Sequence, residues 1–235
     1  MHITYLGHSG FLVEFPRCSF IFDYYVGELN LPDPSKPVFV FASHAHADHY
    51  DPKVFAKLCA QGVAPERITA VLSKDIPSKR WPDHITVCKV TFYQTYDLPC
   101  DITVRTLHST DRGVAYLVEH DNTVIFHAGD LNDWSLDPSS PVYDERHNRQ
   151  MTGSYRHEID LLADLLEDRI LDAAFLPLDP RLGSCYAKGF LYFLKKIRVK
   201  KAYPMHYWDK PELVRQFPVE YPQYAEVVET GHVTS

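Results

Sequence analysis

The most informative segment of the chain reads Ser43-His44-Ala45-His46-Ala47-Asp48-His49-Tyr50. Four potential metal ligands, three imidazoles and one carboxylate, fall within six consecutive positions. In an extended backbone alternate side chains share a face, so His44 and His46 point the same way. A tight turn after Ala47 brings Asp48 and His49 to a neighbouring position. The segment therefore predicts that two adjacent metal ions share one short loop, and imidazole with carboxylate suits zinc as well as iron or manganese.

Three further candidate ligands follow predicted strands later in the chain. His108 comes after a strand over 102–107, Asp130 ends the strand that carries His-Ala-Gly-Asp, and His206 follows a strand ending at Pro204. The C-terminal ends of strands are where α/β folds collect their chemistry, so these side chains are expected to meet the histidine loop. A histidine-rich surface loop without a role, or a purely structural metal site, is the competing interpretation.

The pattern of apolar residues changes along the chain from strand-rich to alternating helix and strand. Short β-branched and aromatic runs, with Asp121-Asn122 as a hairpin turn, predict two β-rich halves. A helix begins just after Asp51-Pro52. We predict a loop from Leu131 to Tyr155 and then a helix from Glu158 to Asp168. Together these elements predict an α/β (α+β) fold, a four-layer αββα sandwich formed by one domain over 1–235.

Composition limits the classes of partner. The formal net charge is -7, which gives no general attraction for phosphate backbones or anionic lipids, so nucleic acid is disfavoured. The five cysteines are scattered and form no Cys-x-x-Cys pair. No apolar stretch approaches the length of a membrane span, and no secretion signal opens the chain. We therefore expect a cytoplasmic protein that is not inserted in a membrane and acts on a small molecule, with homo-oligomerisation left open.

In its histidine motif and in the order of the later partners, the chain resembles the metallo-β-lactamase superfamily. The pattern His-x-His-x-Asp-His at 44–49 is specific, and Asp23, at the end of an early strand, matches the superfamily's first, mainly structural motif. The resemblance covers nearly the whole chain. Two shorter motifs are similar to those of the branch that contains ascorbate-phosphate lactonases and the phospholipase that cleaves N-acyl phosphatidylethanolamines, namely Leu6-Gly7-His8-Ser9-Gly10 and Pro204-Met205-His206-Tyr207.

The resemblance implies a ligand set for two divalent ions, zinc in the first instance and manganese or iron as alternatives. One ion would be held by His44, His46 and His108, the other by Asp48, His49 and His206, and Asp130 would bridge them. His108 has no spacing rule of its own to support it. His8 and His127 are competing ligands, supporting groups behind the ligands, or ordinary hydrogen-bonded histidines near turns.

The expected reaction is hydrolysis. Two ions lower the pKa of a shared water, and the resulting bridging hydroxide attacks an ester, lactone or phosphodiester carbonyl or phosphoryl centre. Asp48 is the expected catalytic residue, because it can orient that hydroxide as well as bind metal. The alternative is a non-hydrolytic protein of the same fold, either a metal-bound sensor or a diiron redox protein. Metal content and turnover of simple esters separate these interpretations.

The substrate is expected to be anionic. Arg181 lies in the segment Leu178-Asp179-Pro180-Arg181, which follows a predicted buried strand. Its guanidinium is expected to bind a phosphate or carboxylate of the substrate. Arg112, close to His108, is expected to assist, and Tyr207 is the third predicted substrate-binding residue. The competing interpretation of Arg181 is an ion pair with Asp179.

Overall fold

Two six-stranded sheets form the frame of the protein in the computed structural model, which describes residues 1–77 and 83–231. The first sheet runs in sequence order, and its β3 to β6 are parallel. Its strands are β1 (His2–Gly7), β2 (Gly10–Glu14), β3 (Ser19–Phe22), β4 (Val38–Ala42), β5 (Ile68–Ser73) and β6 (Thr86–Val90).

The second sheet has the order β12-β11-β10-β9-β8-β7. Here β10, β11 and β12 are parallel, whereas β7 to β10 form an antiparallel meander. The turn between β9 and β10 is Asp121-Asn122, both with positive φ, which confirms the predicted hairpin. The strands are β7 (Thr95–Leu98), β8 (Ile102–His108), β9 (Val114–His120), β10 (Thr123–His127), β11 (Leu171–Pro177) and β12 (Val199–Met205).

The main core lies between the two sheets and is rich in aromatic rings. Along β4, Phe39 and Phe41 face this core, while the alternate residues face the other side of the sheet. The ring of Phe41 meets the ring of Tyr116 on β9 at 5.4 Å between centroids. The buried Tyr116 hydroxyl donates to the carbonyl of Ala42 at 2.8 Å, so a hydrogen bond also links the two sheets.

Helices cover the two outer faces, which confirms the αββα sandwich. Helix α1 (Lys53–Ala60) buries Val54, Phe55 and Leu58 in the cluster on the outer face of the first sheet. The second sheet is covered by α2 (Glu145–Leu166), α3 (Lys188–Lys196) and α4 (Pro211–Glu220). Among the described residues, no helix combines the length and apolar character needed to cross a bilayer.

One boundary prediction was wrong. The segment up to Tyr155 was expected to be loop, but α2 begins at Glu145, where the Asp144 side chain accepts from the backbone N–H of His147 at 2.9 Å. The buried positions of α2 start only at Tyr155. Its first turns are therefore solvent-exposed and polar, and they lack the apolar periodicity from which a helix is recognised.

Candidate metal centre

The candidate site lies at one edge of the sandwich, where strands of both sheets end. The first sheet supplies Asp23 after β3 and the histidine loop after β4, while the second supplies Asp130 after β10 and His206 after β12. The turn between β1 and β2 adds His8. Because parallel strands end at a common edge, residues far apart in sequence meet here, as expected from the sequence.

The first group of ligand atoms consists of His44, His46 and Asp130, all within 4.8 Å of one another. His44 Nε2 lies 2.9 Å from His46 Nδ1 and 3.4 Å from Asp130 Oδ2. The other ring nitrogen of His44 is 3.0 Å from the Ser43 hydroxyl, which fixes the ring orientation. His44 is fully buried and His46 is half-buried, so this group opens toward solvent on the His46 side.

The second group consists of His8, His49 and His206, all buried. The Nε2 atoms of His49 and His206 are 3.0 Å apart. Both also approach Asp130 Oδ1, at 3.1 and 2.9 Å respectively. The ring of His8 lies 3.9 Å from that of His206 between centroids. Asp130 therefore presents one carboxylate oxygen to each group.

Carboxylates behind the rings determine which nitrogen faces the centre. Asp23, fully buried, lies 2.8 Å from His49 Nδ1 and accepts from the backbone N–H and hydroxyl of Ser43 at 2.7 and 2.6 Å. Asp179 Oδ2 lies 3.5 Å from His206 Nδ1. A carboxylate on one nitrogen of an imidazole holds the tautomer that leaves the other nitrogen for a metal. Asp179 follows β11, and the same strand-end rule that identified the other residues applies to it.

Burial and charge set the protonation of the cluster. Burial alone would lower the pKa of His49, but the carboxylates of Asp130 and Asp23 raise it to about 10. Burial alone would raise the pKa of Asp130, yet the rings of His206 and His49 hold it well below its usual range. Burial and the same two rings lower the pKa of His8 to about 2. Without a metal, His49 is therefore cationic and His8 is neutral.

The donor set fits a divalent cation. Asp130 Oδ1 and His8 Nε2 are buried and have no hydrogen-bond partner among the described residues, although two imidazole nitrogens approach that oxygen closely. A buried imidazole nitrogen without a hydrogen-bond partner is costly, and imidazole nitrogens and carboxylate oxygens both bind divalent metals. A cation placed among these atoms would satisfy them together.

Asp48, the expected catalytic residue, lies at the mouth of the second group. Its Oδ2 is 3.6 Å from His8 Nε2, and its side chain is 34% exposed. The ring of Tyr25 meets the ring of His8 edge-on at 5.8 Å between centroids, and burial together with the Asp48 carboxylate raises the pKa of Tyr25. Asp48 is thus close to the ligand atoms and open to solvent, a position from which it can contact both a metal and an incoming water.

His108 does not join either group of ligand atoms. Its side chain is exposed, and its ring meets the ring of Phe92 edge-on at 4.4 Å between centroids. Its backbone N–H donates to the Glu158 carboxylate at 3.1 Å. The carboxylate of Asp111, three positions later, does not belong to either group, but its Oδ2 lies 3.9 Å from His46 Nδ1.

The three expected substrate-binding residues occupy different environments. Arg181 pairs with the buried Asp179 carboxylate through Nε at 3.0 Å and Nη2 at 2.6 Å, and its guanidinium lies 4.6 Å from the centre of the Trp208 ring. The ion pair with Asp179 is thus present, while the substrate-binding role of Arg181 stays a prediction. Tyr207 is only 4% exposed and packs on Tyr5, so it is not presented to the open side of the site. Arg112 is exposed in the turn beside Asp111.

His127 is held as a structural residue. Its Nε2 donates to the carbonyl of Ser9 at 2.9 Å, and its Nδ1 accepts from the backbone N–H of Gly129 at 3.2 Å. The ring stacks on Phe22 at 5.0 Å. Both nitrogens are therefore engaged within the protein, which matches the hydrogen-bonded interpretation rather than that of a competing ligand.

Comparisons with known proteins identify the family and the fold. A family model described as the beta-lactamase superfamily domain matches residues 2–139, more than half of the chain. A UPF0173 metal-dependent hydrolase from Pyrobaculum neutrophilum is 26% identical, over 99% of this chain and 95% of the relative.

Solved structures share the fold at lower identity. Igni18, a metallo hydrolase from the hyperthermophilic archaeon Ignicoccus hospitalis, superposes with a TM-score of 0.65 at 18% identity, covering 99% of this chain and 95% of its own. CmlA, a diiron beta-hydroxylase from Streptomyces venezuelae, gives 0.58 at 11% identity, covering 98% of this chain and 52% of CmlA. The match over residues 2–139, together with the shared fold, establishes that the chain belongs to the β-lactamase superfamily, as its histidine motif predicted.

Proposed function

We propose that this metal-dependent hydrolase of the metallo-β-lactamase superfamily cleaves an ester, lactone or phosphodiester bond at a centre that holds two divalent ions. The observation that supports two ions is the position of Asp130. Its Oδ1 faces the His49 and His206 pair, and its Oδ2 faces His44. A carboxylate with one oxygen toward each of two imidazole groups is suited to be shared between two ions. Zinc is the first candidate, with manganese or iron as alternatives.

When bound, such ions lower the pKa of water toward neutrality and polarise a carbonyl or phosphoryl oxygen. The chain's own residues then have separate tasks. Asp23 and Asp179 orient the ligand rings from behind. Asp48, half-exposed at the mouth, accepts a proton from the attacking water and fixes its direction.

The surroundings of the site support a small anionic substrate. A cavity of about 350 Å³ beside the site is lined by Pro180, Arg181, Trp208, Asp209 and Lys210. Although Arg181 is paired with Asp179, its side chain is 59% exposed. A larger cavity of about 520 Å³ lies between β8 and α2 and contains none of the ligand groups, so ligand chemistry rather than volume locates the site.

The test joins elemental analysis to a screen of phosphodiesters, lactones and carboxylic esters. We expect about two equivalents of transition metal per chain, and turnover that falls by ~10²-fold or more in Asp48→Asn, since a proton acceptor is removed. The matched control is Glu66→Gln, an exposed carboxylate in the turn Pro65–Arg67 that precedes β5 and so lies at the opposite edge.

Three outcomes contradict the proposal. A stable value of one equivalent would remove the bridging role of Asp130. Failure to hydrolyse any compound in the screen, combined with tight ligand binding, would favour the sensor. Oxygen consumption by an iron-loaded protein would favour the diiron redox alternative.

A further inference from the structure

The turn between β8 and β9 is built against the histidine loop. The backbone N–H of Val114 donates to the carbonyl of Ser43 at 3.0 Å. Gly113 in this turn has φ +70°, and a Cβ placed on it would lie 1.9 Å from the same carbonyl oxygen. Only glycine allows this approach, because any side chain would collide with the backbone that carries His44.

The same turn is also tied to the loop that carries Asp130. The hydroxyl of Thr110 donates to the carbonyl of Asn132 at 2.6 Å and accepts from the Asn132 backbone N–H at 3.0 Å. The turn is thus held between the two loops that supply the first group of ligand atoms. These contacts fix the backbone of the turn, while the side chains of Asp111 and Arg112 remain exposed.

Asp111 occupies the part of this turn nearest to the first group. Its Oδ2 is 3.9 Å from His46 Nδ1, the atom that faces His44 Nε2 at 2.9 Å. Ligand atoms that share one ion at about 2 Å each are separated by roughly 3 Å. A change of about 1 Å, within reach of a half-exposed aspartate side chain, would bring Asp111 to that separation from His46 Nδ1. Asp111 is not among the residues whose ligand atoms lie within 4.8 Å of one another, so the side chain would also have to approach His44 and Asp130.

His108 faces a different space. It lines a cavity of about 350 Å³ together with Lys74 and Phe92, and its ring rests against Phe92. Its backbone is held by pairing with Val114 and by the Glu158 carboxylate. Asp75, in the wall of the same cavity, accepts from the backbone N–H of Ala45 at 3.1 Å, so the cavity adjoins the histidine loop, but His108 belongs to neither group of ligand atoms.

We infer that Asp111, rather than His108, is the third protein ligand of the ion held by His44 and His46, and that His108 forms part of the wall of the adjacent cavity. The inference rests on the proposed metal centre and refines it. With Asp130 shared in both cases, the ion would be held by two imidazoles and one carboxylate instead of three imidazoles. The set with the carboxylate is the harder donor set. Such a set favours manganese or iron more than a three-histidine site does.

The experiment compares metal binding in Asp111→Asn, Asp111→Glu and His108→Gln with the unmodified protein. Cobalt(II) and zinc affinities are measured by titration against a chromophoric chelator, without any assay of turnover. We expect Asp111→Asn to weaken one of two equivalents by at least ~10-fold, Asp111→Glu to recover most of that loss, and His108→Gln to stay within about twofold.

A second readout counts imidazole ligands directly. In the cobalt(II)-loaded protein, exchangeable imidazole N–H signals shifted by the metal should be identical in the unmodified protein and in His108→Gln. Loss of one such signal in His108→Gln, or metal affinity that falls in His108→Gln as much as in Asp111→Asn, overturns the assignment. Unmodified protein that binds no cobalt or zinc overturns the metal centre itself, whereas normal metal binding without hydrolysis contradicts only the proposed reaction.

Discussion

At the scale of single residues, the surroundings of His49 determine the charge of the site. Its two ring nitrogens lie against two different carboxylates, with Nδ1 at 2.8 Å from Asp23 and Nε2 at 3.1 Å from Asp130. These carboxylates raise its pKa to about 10 despite burial, and the pKa of His206 is raised for the same reason by Asp130 and Asp179. Without metal, the carboxylates therefore favour the protonated forms of imidazoles that a metal would need in their neutral forms.

Metal binding should consequently release protons. Ligand imidazoles must be neutral, so an ion displaces the proton on His49 and any proton that the raised pKa of His206 retains. At pH 7, below the raised pKa of His49, we expect about one to two protons per chain to be released. Metal affinity should rise with pH up to the pKa of His49, about 10, because protons compete with the metal for this imidazole at lower pH.

Calorimetry in buffers of different ionisation enthalpy measures this number. Zero proton release at pH 7 would show that His49 and His206 are already neutral, and would contradict the charge arrangement described for the site. The Glu66→Gln variant should release the same number of protons as the unmodified protein.

At the scale of elements, the β8–β9 turn determines which side chain reaches the metal loop. Its Gly113 combines a positive φ with backbone contact to Ser43, so Gly113→Ala should destabilise the protein by at least ~1–3 kcal/mol from backbone strain alone. Chemical denaturation monitored by circular dichroism measures the change. Metal affinity should fall as well, because the displaced turn carries Asp111.

Gly153→Ala is the matched control for this change. Gly153 lies in α2, where an added Cβ would meet nothing within 4 Å. Alanine is the better helix former by about 1 kcal/mol, so this variant should be as stable as the unmodified protein or more so. Equal destabilisation by both substitutions would refute the role given to the turn.

The same turn shows how far the sequence could be interpreted. The His-x-His-x-Asp-His loop, the strand-end positions of Asp130 and His206, and the αββα layers are all recognisable from residue patterns, because period and burial are local properties. Whether His108 or Asp111 faces the loop depends on where β8 and β9 stop pairing, at His108 with Val114. The residue pattern of the turn does not predict where this pairing ends.

The start of α2 and the role of Arg181 could not be decided from the sequence, for related reasons. An exposed helix end has no apolar period to recognise, so Glu145 resembled loop. For Arg181 the sequence allows two roles, substrate binding and an ion pair with Asp179. The three-dimensional structure shows that the Asp179 carboxylate contacts both Arg181 and His206.

At the scale of the whole molecule, the candidate centre joins the two sheets. His44, His46 and His49 belong to the loop after β4 of the first sheet, while Asp130 and His206 follow strands of the second. The aromatic core and the Tyr116 hydrogen bond already join the two sheets, and a metal at this centre would join them further.

Metal should therefore stabilise the fold as a unit. A ligand at 100 times its dissociation constant adds about 2.7 kcal/mol, which corresponds to a rise in Tm of roughly 5–10 °C for a chain of this length. Differential scanning calorimetry with and without zinc measures the shift, and Asp130→Asn should abolish most of it. A single unfolding transition that does not move at saturating metal would contradict the cross-sheet role.

The indole rings beside the centre give it an optical consequence. Trp134 donates to the carbonyl of Asp130 at 2.9 Å and its ring lies 5.9 Å from His206, while Trp208 donates to Asp179 at 3.3 Å. The third tryptophan, Trp81, is outside the described residues. Indole emission responds to the nearby electrostatic environment, so we expect the emission of both indoles to change when a cation fills the centre. The protein thus carries an intrinsic fluorescent reporter of whether its centre is filled.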